Sequence, residues 1–343
     1  MKTRLASLLE QALVLPELQQ KKVGCLLGAA VGDAAARPLH WVYDLSDLNR
    51  YIQSNPAQPE FWPESKSPFY SLPTGESSCY WDQAMAVMTS LSNCNAFNFE
   101  NICKEFTIQF GSSSPYNMER REEYMKLRRF GQIQGPIVGK WLHGGMIRFL
   151  ENFAAGKKIC GDPHIKETDG FCCSLPVVAM YAGSDNLLEM VEQVATTQST
   201  WPVAVRHALV AARIVEAFLL DIQEPFETVK QQIKPEYPEI FKEIKGIEDT
   251  LRVGHTEAVG HIFGRPCYNP GSFMGAIHAV KTSEQFDEAI RKTILAGGCN
   301  CSRSFFIGAM MGAKLGIKGI PRDWIEKTKH AEAVLEIAIE ITK

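Results

Sequence analysis

The sequence has few cysteines, almost no excess charge of either sign and no uninterrupted apolar run long enough to cross a membrane. Its most apolar stretch, residues 204–220, contains Arg206 and Arg213, which is typical of a buried helix in a large domain. The 36 Lys and Arg residues nearly balance the 39 Asp and Glu residues, so no basic surface favours nucleic acid. Ten cysteines among 343 residues are too sparse for a disulfide scaffold. We therefore expect a cytoplasmic protein with reduced thiols and no membrane or nucleic-acid partner.

The sequence also has no sustained alternation of apolar and polar residues, which is typical of strands. Apolar residues instead recur every three or four positions, as in helices. The sequence predicts an all-α protein, a single compact multi-helix domain over residues 1–343. Residues 1–20 mix charges with apolar positions, which indicates a short amphipathic helix and not a secretory signal. Residues 43–80 are predicted to be an irregular segment that is functional or wraps the surface. Further helices are predicted near residues 18–31, 82–93, 99–111, 119–128, 137–155, 174–182, 185–197, 202–221, 225–233, 237–251, 271–280, 284–295, 302–316 and 321–341.

Two of the predicted helices carry glycines at four-residue spacing. These glycines are Gly24, Gly28 and Gly32 in the first helix and Gly308, Gly312 and Gly316 in the second. A glycine inside a helix costs about 1 kcal/mol relative to alanine, so three per helix imply a compensating contact. We predict that the two helices cross with their backbones close together near the centre of the molecule. The crossing would bring the residues after Gly32 near those before Gly308.

Residues that could take part in catalysis or binding lie at those two ends. Asp33 and His40 follow the first glycine helix, and Pro38 between them ends helical continuation. Before the second helix, a Gly-Gly turn leads into Cys299 and Cys301, and Ser302 is the predicted N-cap. A helix N-terminus favours anions and lowers thiol pKa values, so both a phosphate site and a reactive thiol fit this position.

Three blocks of the sequence resemble the ADP-ribosylglycohydrolase family in order and spacing. They are GAAVGDAAARPLH, CYWDQAMAVMTSL and FDEAIRKTILAGGCNCS with the helix that follows it. Within the family, the segment PLHWVYD is most similar to the branch that contains the J-type lens crystallins of jellyfish and selenoprotein J. The resemblance implies an all-helical orthogonal bundle of the ADP-ribosylglycohydrolase type. Active members bind two magnesium ions in a central cleft and cleave the bond between ADP-ribose and its acceptor.

The chain departs from the family pattern where active members carry carboxylates. The early Thr-Asp-Asp-Thr block is replaced by Tyr80, Trp81, Asp82 and Gln83, so one of two carboxylates survives. Cys299 and Cys301 stand where the late block has two Asp residues, and His40 stands where the family has Glu. Magnesium prefers oxygen ligands. We therefore expect no stable dinuclear magnesium site and no bound cofactor, with Asp82 and Ser302 as remnant metal positions.

The candidate cleft residues are Asp33, His40, Asp82, Cys299 and Cys301, and Tyr80, Trp81 and Ser302 are candidates for substrate contact. For the two Asp residues, the favoured interpretation is a helix cap or a residue that holds the turn without contacting a ligand. His40 is either a satisfied core histidine or a cleft-lining group. The cysteine pair fits three interpretations: inert buried thiols, a redox pair, or a zinc site completed by Asp82 and His40.

A further group lies after the Ser112–Pro115 break. Tyr116, Tyr124, Arg128 and Arg129 fit either a pocket rim or a solvated helix face, and the solvated face is favoured. The leading functional hypothesis is a protein of the ADP-ribosylglycohydrolase fold with a degenerate magnesium site, in a structural, crystallin-like or thiol-based role. The alternative is an active glycosyl hydrolase of ADP-ribose-type conjugates with altered metal dependence. An ADP-ribose-like molecule is the expected ligand in that case, and the oligomeric state is left open.

Overall fold

A computed structural model describes residues 3–116, 118–129, 132 and 135–343. These residues form eighteen α-helices and one parallel pair of two-residue strands, which confirms the all-α prediction. The first helices are α1 (Arg4–Leu13), α2 (Glu17–Ala36), α3 (Leu45–Ile52), α4 (Cys79–Cys94), α5 (Phe99–Phe110), α6 (Met118–Arg129), α7 (Gly144–Ala154), α8 (Asp169–Tyr181) and α9 (Leu187–Ala195). The others are α10 (Pro202–Leu219), α11 (Pro225–Ile233), α12 (Pro238–Glu248), α13 (His255–Glu257), α14 (Gly271–Lys281), α15 (Phe286–Leu295), α16 (Asn300–Leu315), α17 (Arg322–Lys327) and α18 (Ala331–Ile341).

The two glycine-bearing helices, α2 and α16, cross in antiparallel orientation with backbone against backbone. A Cβ atom added at Gly28 would lie 2.3 Å from the Gly308 carbonyl oxygen, and one added at Gly312 would lie 2.0 Å from the Gly24 oxygen. Real Cβ atoms do not approach so closely, so only glycine permits this crossing. The predicted backbone-close crossing is confirmed.

The crossing places the C-terminal end of α2 beside the N-terminal end of α16. A Cβ atom at Gly32 would lie 2.5 Å from the Ser304 carbonyl oxygen, which locates the contact one turn from each end. Both helices are buried along most of their length. The side chains beyond Gly32 and before Ser304 therefore meet in the interior, as the sequence predicts.

Several predicted elements differ from the structure. The helix predicted over residues 137–155 begins only at Gly144, because Ile137–Val138 (β2) pairs with Tyr70–Ser71 (β1). Gly139, with φ of 130°, then turns the chain out of the strand. The segment 43–80, predicted to be irregular, contains α3, whose N-cap Asp44 accepts a hydrogen bond from the Ser46 amide.

The C-terminal helix predicted over residues 321–341 is divided in two. The backbone at Thr328 is extended, and the Lys329 amide donates to the Gly75 carbonyl at 3.0 Å instead of continuing the helical ladder. A π-helical turn over Ala258–Phe263 was also not predicted. Among the described residues, no helix is long and apolar enough to cross a membrane.

Candidate functional site

Asp33, in the last turn of α2, is fully buried and binds the start of α4. Its carboxylate accepts hydrogen bonds from the Ser78 amide at 2.7 Å and the Ser78 hydroxyl at 2.5 Å. Ser78 is itself the N-cap of α4. Burial raises the pKa of Asp33 to about 7, although the bonds from Ser78 favour the ionised form. This geometry supports the interpretation of Asp33 as a residue that holds the turn before α4.

Asp82, in the first turn of α4, is part of a second arrangement, here called the carboxylate cluster: Asp82, Lys140, Ser77, Tyr116 and Glu76. The Lys140 ammonium lies 2.7 Å from Asp82 Oδ2, and the Tyr116 hydroxyl donates to the same oxygen at 2.6 Å. Ser77 donates to Oδ1 at 2.5 Å. Lys140 also approaches Glu76 Oε2 at 3.8 Å. Both oxygens of Asp82 are thus engaged by this chain's own donors.

The carboxylate cluster forms one wall of an open cleft of about 490 Å³. The cleft is lined by Leu72, Glu76, Trp81, Asp82, Met85, Gln109, Pro115, Tyr116, Gly139, Lys140 and His330. Tyr116 is buried and lines this cleft, so the favoured solvated-face interpretation is wrong for it and the pocket interpretation is correct. Tyr124 is also buried, and its hydroxyl donates to the Gly135 carbonyl.

Cys299 is the centre of a different arrangement, here called the thiol cluster: Cys299, His40, Tyr80 and Cys267. The Cys299 sulfur lies 3.2 Å from His40 Nε2 and 3.3 Å from the Tyr80 hydroxyl. Cys267 lies in the loop whose Arg265 carbonyl accepts a hydrogen bond from the Cys299 amide at 2.9 Å. On the far side of the imidazole, Nδ1 lies 2.8 Å from the Tyr70 hydroxyl.

The protonation of the thiol cluster follows from these contacts. Burial opposes ionisation of Cys299, but hydrogen bonds from Cys267, His40 and Ser302 and the nearby imidazole lower its pKa well below the ordinary value. Burial lowers the pKa of His40, so its ring is neutral at neutral pH. Burial also raises the pKa of Tyr70, whose hydroxyl therefore keeps its proton. The tautomer of His40 decides which of its two ring nitrogens donates, Nδ1 toward Tyr70 or Nε2 toward the Cys299 sulfur.

The neighbouring cysteine has a different environment. Cys301 contacts the Asp33 carbonyl oxygen at 3.8 Å, and burial raises its pKa well above the ordinary value. The N-cap of α16 is Cys299, so the prediction of Ser302 as N-cap is wrong by one turn. Ser302 instead donates within the helix to the Cys299 carbonyl at 2.9 Å. Of the two thiols, Cys299 is the one whose pKa is lowered.

The zinc interpretation requires Cys299, Cys301, Asp82 and His40 to converge. Cys299 and His40 are in contact, but Asp82 is bound by Lys140 and Cys301 faces a backbone carbonyl. Within the described parts of the chain, no group of three or more His, Cys, Asp or Glu side chains is arranged to hold a metal ion. The zinc interpretation, one of the three left open for the cysteine pair, is therefore wrong.

Comparison with known proteins places this arrangement in a family. The model of the ADP-ribosylglycohydrolase family matches residues 15–343. The chain belongs to the ADP-ribosylglycohydrolase family. Two similar proteins are Crystallin J1A and Crystallin J1B of Tripedalia cystophora, which are 29% and 26% identical to it and are each matched over 95% of this chain and 98% of their own length.

Two more distant similarities also extend over nearly the whole chain. An uncharacterised protein of Archaeoglobus fulgidus is 22% identical over 94% of this chain and 96% of its own length. A solved structure described as an ADP-ribosylglycohydrolase-related protein complex superposes with a TM-score of 0.64 at 19% identity, covering 96% of this chain and 99% of that one. The last similarity shows the fold, and it confirms the predicted ADP-ribosylglycohydrolase-type bundle.

Several site residues of this ADP-ribosylglycohydrolase-family chain were not found from its sequence. Lys140 and Cys267 lie in loops and belong to no motif, and no local signal identifies either of them. The pair of His143 and Asp169 was also missed. His143 Nδ1 lies 2.6 Å from Asp169 Oδ1, and the Gln83 amide donates to the same oxygen at 2.6 Å. Burial alone would lower the pKa of His143, but the charge and hydrogen bond of Asp169 raise it above the ordinary value.

The substrate-contact candidates occupy different places. Trp81 is 1% exposed, lies at a tilt to Phe305 with ring centroids 6.1 Å apart and borders the 490 Å³ cleft. Tyr80 is 1% exposed and faces the Cys299 sulfur and the ring of His143, whose centroid is 4.4 Å from its own. Ser302 is buried against Ser272, with 2.9 Å between the hydroxyl oxygens. Trp81 alone of these three borders the cleft.

Proposed function

We propose that this protein is an ADP-ribosylglycohydrolase-fold protein whose magnesium site is degenerate and which has no efficient magnesium-dependent hydrolase activity. Its role is structural, as in a crystallin, or depends on the thiol cluster. We place it in the reducing cytoplasm, since all ten cysteines are free thiols.

The observation that carries the proposal is the position of the Lys140 ammonium, 2.7 Å from Asp82 Oδ2. Asp82 is the carboxylate that remains in the early block. An internal cation neutralises its charge, and the hydroxyls of Ser77 and Tyr116 occupy its remaining acceptor capacity. A divalent ion would have to displace the ammonium from a largely buried pair, which opposes binding.

The other side of the family's metal site fits magnesium no better. The two late positions carry the sulfurs of Cys299 and Cys301, both fully buried, and His40 supplies an imidazole. Magnesium needs near-octahedral oxygen coordination, and soft thiols are poor ligands for it. The donor set at these positions therefore does not fit the family's ion.

Two observations bear on what the protein does instead. The similarity to two proteins named crystallins, over nearly the full chain, supports a structural role. The cleft beside Lys140 and His330 supports the alternative of an ADP-ribose-type ligand, because the Lys140 ammonium would face its phosphates. Under that alternative the protein is a hydrolase with altered metal dependence.

Isothermal titration calorimetry distinguishes the proposed function from the hydrolase alternative. Magnesium chloride and ADP-ribose are titrated separately, and then together, into the parent protein. The proposal expects no magnesium binding at micromolar concentrations. Micromolar binding of both would overturn it and favour the hydrolase.

A further inference from the structure

Two buried histidines, His255 and His278, connect three neighbouring elements on the side of the molecule away from the carboxylate cluster. His255 begins α13 and His278 lies in α14, and their Nδ1 atoms are 3.1 Å apart. On the other side of its ring, His278 Nε2 lies 3.1 Å from the Thr250 carbonyl oxygen, just after α12. Both rings are buried. The pair therefore joins α13 to α14 and to the end of α12.

The contacts of the two rings fix where their hydrogens lie when both are neutral. A carbonyl oxygen can only accept, so His278 Nε2 carries a hydrogen and donates it to Thr250. His278 Nδ1 is then bare and accepts from the Nδ1–H group of His255. His255 Nε2 remains as a bare nitrogen, which is buried and has no hydrogen-bond partner among the described residues.

A further proton can enter this pair at only two atoms. On His255 Nε2 it produces a buried imidazolium whose new N–H group has no acceptor. On His278 Nδ1 it sets two N–H groups against each other across 3.1 Å and breaks the bond between the rings. A buried donor or charge without a partner costs free energy, so protonation at either atom destabilises the pair.

The charges near the pair also oppose protonation. Arg303 of α16 and Lys292 of α15 act on His255, and both are cations. The carboxylates of the adjoining segments are paired elsewhere or exposed: Glu248 binds Lys230, Glu288 binds Lys292, and Asp249 and Glu257 are exposed. Burial, aided by the nearby cations, lowers the pKa values of both histidines from the ordinary 6.5.

The segment that begins at His255 leads to the thiol cluster. After α13 the chain forms the π-helical turn over Ala258–Phe263, a rare form of helix that is frequent at functional sites. The turn ends at Gly264, whose amide donates to the Val259 carbonyl at 2.9 Å. The next residue, Arg265, accepts a hydrogen bond from the Cys299 amide at 2.9 Å. A displacement of this segment would therefore reach the start of α16.

We propose that His255 and His278 are a pH-sensitive switch, which keeps α13 and the π-helical turn packed while both rings are neutral and releases this segment when acid protonates the pair. In the released segment each ring is an ordinary histidine, so the released state binds protons more tightly than the packed state. The contribution of the pair to stability is therefore complete above about pH 6.5 and is lost as the pH falls below that value.

Hydrogen exchange of the full chain, followed by mass spectrometry at pH 7.5 and pH 5.5, tests the switch. Two histidines that protonate only in the released state should each favour opening roughly tenfold over this interval. After correction for the intrinsic exchange rates, the protection of residues 255–263 should therefore fall by up to roughly 100-fold. The amides of α2 and α16 at the glycine crossing are the internal reference and should keep their protection, because the switch is local.

Three variants make the assignment specific. His255→Gln keeps an N–H group for His278 Nδ1 and removes one titrating ring, so the loss of protection at pH 5.5 should shrink to roughly tenfold or less. His278→Gln should have the same effect, and it decides the outcome if His255→Gln does not fold. His261→Gln is the matched control, because His261 is an exposed histidine of the same turn outside the pair. It should behave as the parent does, and circular dichroism checks that each variant is folded.

The proposal is overturned if residues 255–263 of the parent keep the same protection at both pH values. It is also overturned if the crossing of α2 and α16 loses protection in parallel, since that would show global unfolding. An effect of His261→Gln as large as that of the other two variants would likewise contradict it. Neither magnesium nor ADP-ribose is present in these measurements, so their outcome is independent of the proposed function.

Discussion

At the crossing of α2 and α16 the contacting groups are backbone atoms. In the carboxylate cluster and the thiol cluster they are side chains from segments far apart in the sequence. The crossing depends on shape, since a Cβ atom at Gly28 would lie 2.3 Å from a carbonyl oxygen. The clusters depend on charge and hydrogen bonding, as between Lys140 and Asp82. Mutations at the crossing should therefore change stability alone, and mutations in the clusters should change stability together with ion binding or pH dependence.

The largest effect is expected from Gly28→Leu in the crossing. A leucine side chain must enter a space that cannot accept even one carbon, so the free energy of unfolding should fall by more than about 5 kcal/mol. Chemical denaturation followed by circular dichroism measures the loss. Gly246→Leu in α12 is the matched control, because nothing lies within 4 Å of its added Cβ. If both variants unfold at the same denaturant concentration, the account of the crossing is wrong.

The next effect concerns the pH dependence of Asp33. Burial raises its pKa to about 7 in the folded protein, above the 3.8 of an ordinary aspartate, so the folded state binds the proton more tightly. Its contribution to stability is therefore complete at acid pH and is lost as the pH rises from about 4 to 7. Asp33→Asn should remove this part of the pH dependence, which is at most about 4 kcal/mol at 1.4 kcal/mol per pKa unit.

Urea unfolding of parent and Asp33→Asn protein across that pH range checks the sign. Asp44 is the control, because it is exposed and the hydrogen bonds from Ser46 lower its pKa. Its contribution should be small and should be lost as the pH falls. Parent and Asp33→Asn curves that run parallel would show that Asp33 is ionised normally in the folded state.

Removal of Lys140 should have a smaller effect on stability and a distinct effect on ion binding. Lys140→Ala leaves Asp82 largely buried without its cation, so the free energy of unfolding should fall by about 2 kcal/mol. The freed carboxylate should also raise the affinity for magnesium in a calorimetric titration. Lys66→Ala, which breaks a more exposed pair with Glu64, is the control and should change neither quantity much. Unchanged magnesium affinity in Lys140→Ala would show that the ammonium does not block the ion.

Much of this contrast can be predicted from the sequence. The features that could be predicted are those with a local sequence pattern. The glycine spacing is a local pattern, and it predicted the crossing because helical periodicity converts spacing directly into a shared face. Asp33, Asp82, His40 and Cys299 were found because they lie within or beside family blocks. Lys140 and Cys267 were missed because they lie in loops, whose positions depend on contacts across the whole chain.

The errors within the site have the same origin. Ser302 is a good N-cap by residue type, but the positive φ angles of Gly297 and Gly298 bring the chain into α16 earlier, at Cys299. The zinc set failed because sequence proximity of Cys299 and Cys301 does not place their sulfurs on one side. In the structure one faces His40 and the other faces the end of α2.

The smallest expected effect is partial repair of the late positions. Cys299→Asp combined with Cys301→Asp restores two oxygen ligands, so magnesium affinity should increase modestly. Hydrolysis should not return fully, because Trp81 and His40 remain at positions where the resemblance in sequence implies carboxylates in active members. Calorimetry with magnesium and an ADP-ribose release assay report the two quantities separately. Full activity in this double variant would show that the late positions alone account for the difference.

The most direct test is the release of ADP-ribose from an ADP-ribosylated protein by the parent chain, measured over a range of magnesium concentrations with an active family member alongside. We predict that the parent releases ADP-ribose far more slowly than the active member at every magnesium concentration, because Lys140 holds Asp82 and thiols stand at the late positions. Magnesium-dependent release at a rate similar to that of the active member would contradict it.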